Sequence, residues 1–273
     1  MKVGVTLPSF RTEPDAALVV ARAAERAGLD GVFVYDHLFR IARDGGRRPA
    51  LECAALLGAV TQETSTVAVG TLVARATLRP PAVLAHVFAT AHRIAGDRLI
   101  AGLGAGDSES RHENESFGLG FGTLESRVGA LRLTVEATRG HRYRVWVGGE
   151  AVNVGHVAAE AEGWNRWGVP NATFAREAEL VREMVAGLGR EPSRFDLTWG
   201  GLVVIGESDA AADAKAARLR PSPGTLVGGP ERVADALRPL ADVGATWVIV
   251  GPVDSADPDN ASILGEAVAP LLA

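Results

Sequence analysis

Short runs rich in Val, Ile and Leu alternate along this chain with longer Ala-rich stretches whose apolar residues recur at helical spacing. The pattern predicts strands at 2–7, 31–35, 67–73, 98–103, 143–147, 163–167, 197–204 and 245–250. It predicts helices at 14–27, 50–63, 80–94, 123–138, 152–161, 173–188, 208–219 and 230–243, with a last one near 261–272. Pro14, Pro80 and Pro230 stand at helix starts, where a missing N–H costs nothing, and Gly28 and Gly244 follow helix ends. Runs such as Val67-Ala68-Val69-Gly70-Thr71-Leu72-Val73 and Thr246-Trp247-Val248-Ile249-Val250 are apolar on both faces, as a covered parallel sheet requires. Eight repeated βα units predict an α/β fold, a closed (β/α)₈ TIM barrel, with an open doubly wound sheet as the alternative. No Pro/Ser-rich linker or shift in composition divides the chain, so one domain over residues 1–273 is expected.

With 47% hydrophobic residues there is ample material for a core, and no apolar run approaches the ~18 residues of a membrane span. Met1-Lys2-Val3-Gly4-Val5 runs straight into a strand pattern without the charged and apolar segments of an export signal, so a cytoplasmic location is expected. The formal charge is −5 and the arginines are interspersed with acids, which argues against nucleic acid and for a small-molecule partner. The single cysteine, Cys53, lies in an apolar helical pattern and reads as core packing. His86 and His92 are six apart, hence not on one helix face, and no H-E-x-x-H or carboxylate cluster occurs, so no metal is expected. A serine triad has no G-x-S-x-G elbow to stand on.

The candidate chemistry lies where strands end, since parallel α/β folds place their sites there. Asp36 and His37 follow the second strand; the histidine suits proton transfer near neutral pH, and a helix cap beside a surface histidine is the plainer alternative. Gly102, Gly104 and Gly106 alternate across the fourth strand end, admitting a flat or phosphorylated ligand or simply tight packing at a barrel rim. Asp107, just beyond, is a second candidate acid or an ordinary loop carboxylate. Gly148 and Gly149 precede a helix and suit an anion or a simple turn. Arg75 and Arg79 follow the third strand, to face a phosphate or carboxylate or to pair with surface acids. The long stretches 36–49, 104–122 and 220–229 are irregular in pattern, and the Gly-rich segment Phe117–Gly122 reads as a mobile loop.

Taken in order, Tyr35-Asp36-His37-Leu38, Val69-Gly70-Thr71-Leu72-Val73, Arg79-Pro80-Pro81-Ala82-Val83-Leu84-Ala85, Gly96-Asp97-Arg98-Leu99 and Gly102-Leu103-Gly104-Ala105-Gly106 resemble the bacterial luciferase-like oxidoreductases. Phe117-Gly118, Trp146-Val147-Gly148-Gly149, Ala161-Glu162-Gly163-Trp164-Asn165 and Val227-Gly228-Gly229-Pro230-Glu231-Arg232-Val233 extend the resemblance over nearly the whole chain. It implies a (β/α)₈ barrel binding coenzyme F420 or, alternatively, FMN, with the ring over the C-terminal mouth. In the deazaflavin branch the Asp-His pair lies beside the ring, so the resemblance implies His37 as the proton-transfer group with Asp36 beside the ring. It also implies an often cis peptide behind the ring at Leu72-Val73, a loop along ring and tail at Ala105, Gly106 and Asp107, and a phosphate turn at Gly148 and Gly149. Some relatives carry a glutamate acid where Asp107 stands.

Two departures stand out. The segment Gly140–Tyr143 is much shorter than usual in the family, which predicts trimmed phosphate-side loops and an open pocket. Ile41 stands where the family's sugar-phosphate dehydrogenases carry tryptophan, which argues against that substrate. The expected function is hydride transfer between coenzyme F420 and a small organic substrate. The alternatives are an FMN-dependent monooxygenase using reduced flavin and O₂, served by a partner reductase, and a flavin- or deazaflavin-binding protein without turnover. A homodimer through the helices near 50–63 and 80–94 is expected by analogy with the family.

Overall fold

The structure, a computed structural model, describes residues 1–42, 45–108 and 110–273. Eight parallel strands close into a barrel: β1 (Lys2–Thr6), β2 (Gly31–Val34), β3 (Ala68–Thr71), β4 (Leu99–Gly104), β5 (Arg144–Gly148), β6 (Gly163–Trp167), β7 (Asp196–Ile205) and β8 (Trp247–Pro252). Each pairs with its successor, and β8 returns to β1 through the register Lys2↔Trp247 to Val5↔Val250. Closure removes the sheet edges, and this settles the choice against an open sheet.

The predicted helices lie outside: α1 (Asp15–Arg26), α2 (Cys53–Glu63), α3 (Pro81–Ala95), a short α4 (Ser110–Ser116), α5 (Leu124–Ala137), α6 (Ala151–Ala158), α7 (Asn171–Gly187), α8 (Asp209–Leu219) and α9 (Pro230–Asp242). A final turn of α-helix, Asp259–Ile263, runs into a π-turn and a 3₁₀ turn that reach Leu272. Gly28 and Gly244 adopt the left-handed conformation just past α1 and α9, as helix-ending glycines do. Among the described residues no helix is long and apolar enough to cross a membrane.

Two cores stabilise this arrangement. Between strands and helices, Val, Leu and Ala side chains such as Val3, Val5, Leu57, Val69 and Val248 are fully buried. Inside the barrel the filling is aromatic: Phe33 stacks on Trp146 at 5.7 Å, and Trp247 meets both edge-on at 6.0 and 5.5 Å. Glycines make the room for them, since a Cβ at Gly163 would lie 2.5 Å from the Trp146 ring and one at Gly31 2.9 Å from Trp247. Leu72, Ile100 and Ile249 pack with these aromatics, so the barrel interior is filled by side chains.

Two segments that read as irregular are ordered by aromatic contacts. Residues 39–41 and 47–49 form a short antiparallel hairpin. Its Phe39 stacks on Phe117 at 6.4 Å and meets His112 edge-on at 5.5 Å, so the hairpin is docked against α4. The Gly-rich segment begins at Phe117, a half-exposed ring stacked on Phe39, and contains the buried Phe121. The third long stretch contains a small strand, Leu226–Gly228, that extends the sheet beside β7.

Candidate active site

A cavity of about 680 Å³ opens at the C-terminal ends of β2 to β6. Its walls bring together Asp36, His37, Leu72, Val73, Gly104 to Asp107, Gly148 and Gly149, all singled out by the sequence. His37 and Gly104 therefore share one rim.

The floor is backbone. A Cβ at Gly104 would lie 2.4 Å from Val73 Cγ2, one at Gly148 would lie 2.8 Å from Val73 Cγ1, and one at Gly102 would lie 2.0 Å from the Thr71 carbonyl oxygen. The three glycines let the chain from Thr71 to Val73 press against β4 and β5, leaving a flat, apolar surface of Leu72, Val73 and Ala105. The peptide between Leu72 and Val73 is cis.

His37 stands beside this floor with its ring 5.4 Å from Phe10 and 6.4 Å from Tyr35. Its orientation comes from a residue sequence reasoning missed. Glu113, on α4, places Oε1 2.7 Å from His37 Nδ1, while Oε2 accepts from the Leu38 N–H at 2.7 Å and from Arg75 Nη2 at 3.0 Å. Burial pushes the Glu113 carboxyl up, but the bonds from His37 and Leu38 and the Arg75 charge outweigh it and hold it below the usual carboxylate range. A carboxylate on Nδ1 fixes the proton there and leaves Nε2 for the cavity. The sequence carried only a faint signal, the S-x-x-E spacing of Ser110 and Glu113, which by itself suggests a helix cap.

Asp36, adjacent to His37 in sequence, faces the other way. Its carboxylate, 2% exposed as a residue, accepts from the Arg75 N–H at 2.9 Å and from Arg79 at 2.7 and 3.2 Å. Arg75 in turn donates to the Asp36 carbonyl oxygen at 2.7 Å and to Asn114 at 3.2 Å. The two arginines that follow the third strand thus pair with buried acids, and Arg79 also reaches the exposed Glu52. Burial works against the Arg79 guanidinium, but Asp36 and Glu52 more than restore its charged form. Cys53 is buried near this network, and burial together with Asp36 pushes its thiol up, consistent with packing and not reactivity.

Asp107 is exposed, and its Oδ1 accepts from the Ser110 N–H at 2.9 Å and the Ser110 hydroxyl at 2.8 Å. It caps α4, six residues before Glu113. At the Gly148–Gly149 turn the Ala151 N–H donates to Glu177 at 2.8 Å, and Arg166 bridges Glu177 at 3.0 Å and Glu150 at 3.6 Å. The helix terminus proposed for a phosphate is already flanked by two carboxylates.

The short Gly140–Tyr143 segment does not open the pocket. It enters β5 from the N-terminal end of the barrel, where His141 stacks on Tyr143 at 5.2 Å, while the cavity lies at the opposite end. Ile41 is exposed on the hairpin and does not line the cavity. Among the described residues no group of three or more His, Cys, Asp or Glu could hold a metal.

A profile of the family described as luciferase-like monooxygenase matches residues 1–144. The chain belongs to the luciferase-like monooxygenase family. Over 141 residues it is 34% identical to an F420-dependent glucose-6-phosphate dehydrogenase of Amycolatopsis mediterranei (strain U-32), covering 51% of this chain and 41% of that one. Over 109 residues it is 38% identical to an enzyme of the same name from Beutenbergia cavernae, covering 40% and 32%. These matches thus span well under half the length of the curated relatives. Among solved structures, an F420-dependent secondary alcohol dehydrogenase in complex with an F420-acetone adduct superposes with a TM-score of 0.83 at 17% identity, covering all of both chains. The EDTA monooxygenase of Chelativorans sp. BNC1 does so with 0.81 at 14% identity, over 100% of this chain and 93% of that one. At such identities these likenesses speak to the barrel alone.

The residues present fit a planar redox ring. A flat backbone floor, an imidazole at its edge and a guanidinium, Arg127, on the far wall match an aromatic plane with a proton-exchanging position and an anionic tail.

Proposed function

We propose that this chain is an F420-dependent oxidoreductase transferring a hydride between the deazaflavin and a small organic alcohol or carbonyl compound. The observation that carries the reading is His37 held at Nδ1 by Glu113 beside the glycine-backed floor of Leu72 and Val73. When bound, the coenzyme supplies the two-electron hydride acceptor or donor. Leu72, Val73, Gly104, Ala105 and Gly106 hold the ring.

His37 Nε2 takes the hydroxyl proton as an alcohol is oxidised and returns it as a carbonyl is reduced. Glu113 keeps the imidazole in that tautomer, and Arg75 balances the carboxylate so that the pair stays charged inside the wall. Asp36 acts indirectly, anchoring Arg75 and Arg79 behind His37, and Asp107 starts the helix that carries Glu113. Phe10, Tyr35 and Trp167 exclude water around the imidazole.

The names of the curated relatives support F420, and the dedicated proton-transfer histidine supports a dehydrogenase. The test is a panel of alcohols and carbonyl compounds assayed for F420 reduction or oxidation without oxygen, beside oxygen uptake with reduced FMN. Turnover of F420 without oxygen uptake supports the reading; flavin-dependent oxygen uptake alone rejects it for the monooxygenase alternative.

The exposed Val83 and Ile94 on α3 support pairing of two copies through α2 and α3. A monomeric mass at micromolar protein contradicts this.

A further inference from the structure

Three arginines line the cavity, and two have carboxylate partners: Arg75 pairs with Glu113, and Arg166 with Glu177 and Glu150. Arg127 has none among the described residues. It is 8% exposed as a residue, and that exposure faces the cavity it lines. Nε donates to the Ala105 carbonyl oxygen and Nη1 to the Gly122 carbonyl oxygen, both at 3.2 Å, which aligns the fork and leaves Nη2 without a protein acceptor. The guanidinium lies 4.1 Å over the buried Phe121 ring, and the Arg111 guanidinium lies 4.6 Å from the same ring. Two cations thus share one aromatic ring beside the cavity, Arg111 also forming an exposed ion pair with Glu115 at 3.7 Å. Asp107, whose charge acts on Arg127, spends Oδ1 on capping α4. Burial and Arg111 both disfavour the charged form of Arg127, with Asp107 opposing them.

An arginine so placed keeps one guanidinium nitrogen free to meet an anion arriving from the cavity. The opposite wall cannot offer the same, because Glu150 and Glu177 face a single guanidinium there and Glu177 already takes the Ala151 N–H. We propose that Arg127, backed by Phe121 and Arg111, is an anion-binding subsite taking a phosphate or carboxylate group of the molecule in the cavity. With the proposed function as its basis, the occupant is the phosphodiester tail of the coenzyme or an anionic group of the substrate.

The experiment compares wild type, Arg127→Met and Arg127→Lys, each first shown to be folded by near-UV circular dichroism. Each is titrated with F420, with the phosphate-free deazariboflavin that shares its ring, and with inorganic phosphate followed by the Gly106 amide resonance. Loss of a charged hydrogen bond predicts F420 binding about tenfold or more weaker in Arg127→Met, deazariboflavin changed by less than about twofold, and Arg127→Lys in between. Phosphate should bind wild type saturably, and not Arg127→Met. Exclusion of phosphate by bound F420 assigns the site to the coenzyme tail; phosphate binding that persists beside F420 assigns it to the substrate. If neither ring compound binds wild type, the proposed function falls while saturable, Arg127-dependent phosphate binding still upholds the subsite. The subsite is overturned if phosphate leaves Gly106 unmoved and Arg127→Met weakens both ring compounds equally or neither.

Discussion

Glu113 Oε1 lies 2.7 Å from His37 Nδ1 across 76 residues of sequence, joining the end of β2 to a helix beyond β4. That contact turns a loop histidine into an oriented one. In Glu113→Gln the amide can present its N–H₂ to Nδ1 and favour the other tautomer, so kcat should fall about 10- to 100-fold while the coenzyme Kd changes little. Nitrogen-15 shifts of His37 check the tautomer, and a variant with normal turnover would remove Glu113 from the account.

Replacing His37 itself separates binding from chemistry. His37→Ala should retain F420 affinity within about threefold and lose about 10²- to 10⁴-fold in kcat, the usual worth of a positioned acid or base. Parallel losses in both would make His37 a ring-binding residue.

Asp36 is expected to show in stability before chemistry. Asp36→Asn leaves Arg79 and the Arg75 N–H facing a neutral group in a buried setting, a change that costs about 3 kcal/mol when one partner of a buried pair is lost. Urea unfolding measures it, and the double variant Asp36→Asn with Arg79→Met should recover part of the loss. A single variant as stable as wild type contradicts the anchoring role.

The floor makes a steric prediction. Gly104→Ala sets a methyl 2.4 Å from Val73 Cγ2 and should destabilise by about 1–3 kcal/mol, with Val73→Ala in the same chain relieving it. Additive losses in thermal unfolding would mean the two residues do not press on each other.

Acid stability has a separate source. Glu25 Oε1 accepts from the N–H groups of Ser65, Thr66 and Val67 and from the Thr66 hydroxyl. Burial raises its pKa, but these bonds win and lower it from 4.5 to about 2. A pKa depressed on folding stabilises the folded form fully above about pH 4.5 and loses that effect as pH falls towards 2. Glu25→Gln should therefore be less stable than wild type at pH 7, with the gap closing through that window; a gap constant from pH 7 to 2 contradicts it.

The barrel was legible because most strands carry an apolar run, as Val67–Val73 does, and many of the helices between them are marked by Pro or Gly at an end. The strand Gly163–Trp167, with Asn165 and Arg166, carried the weakest signal. His37 and the glycine floor were legible because strand ends are where this architecture exposes groups. The network behind them was not. Asp36 and His37 are neighbours in sequence, yet consecutive side chains at a strand end point apart, so one meets Arg79 and the other Glu113. Glu113 and Asn114 sit in a short polar helix without hydrophobic period, and their buried partner is Arg75, on the other side of α3 and β4 in the chain. The Gly-rich run read as mobile because glycine dominates its local pattern, while the residues that contact it, Phe39 on Phe117 and Arg127 over Phe121, lie outside the run.

The central claim is that the cavity over Leu72 and Val73 holds the deazaflavin ring beside His37. Fluorescence titration of F420 against wild type and Gly104→Leu tests it most directly, because the new side chain fills the floor. Saturable binding to wild type, weakened about tenfold or more in the variant, is the predicted result. Equal binding to both proteins, or none to wild type, would contradict it.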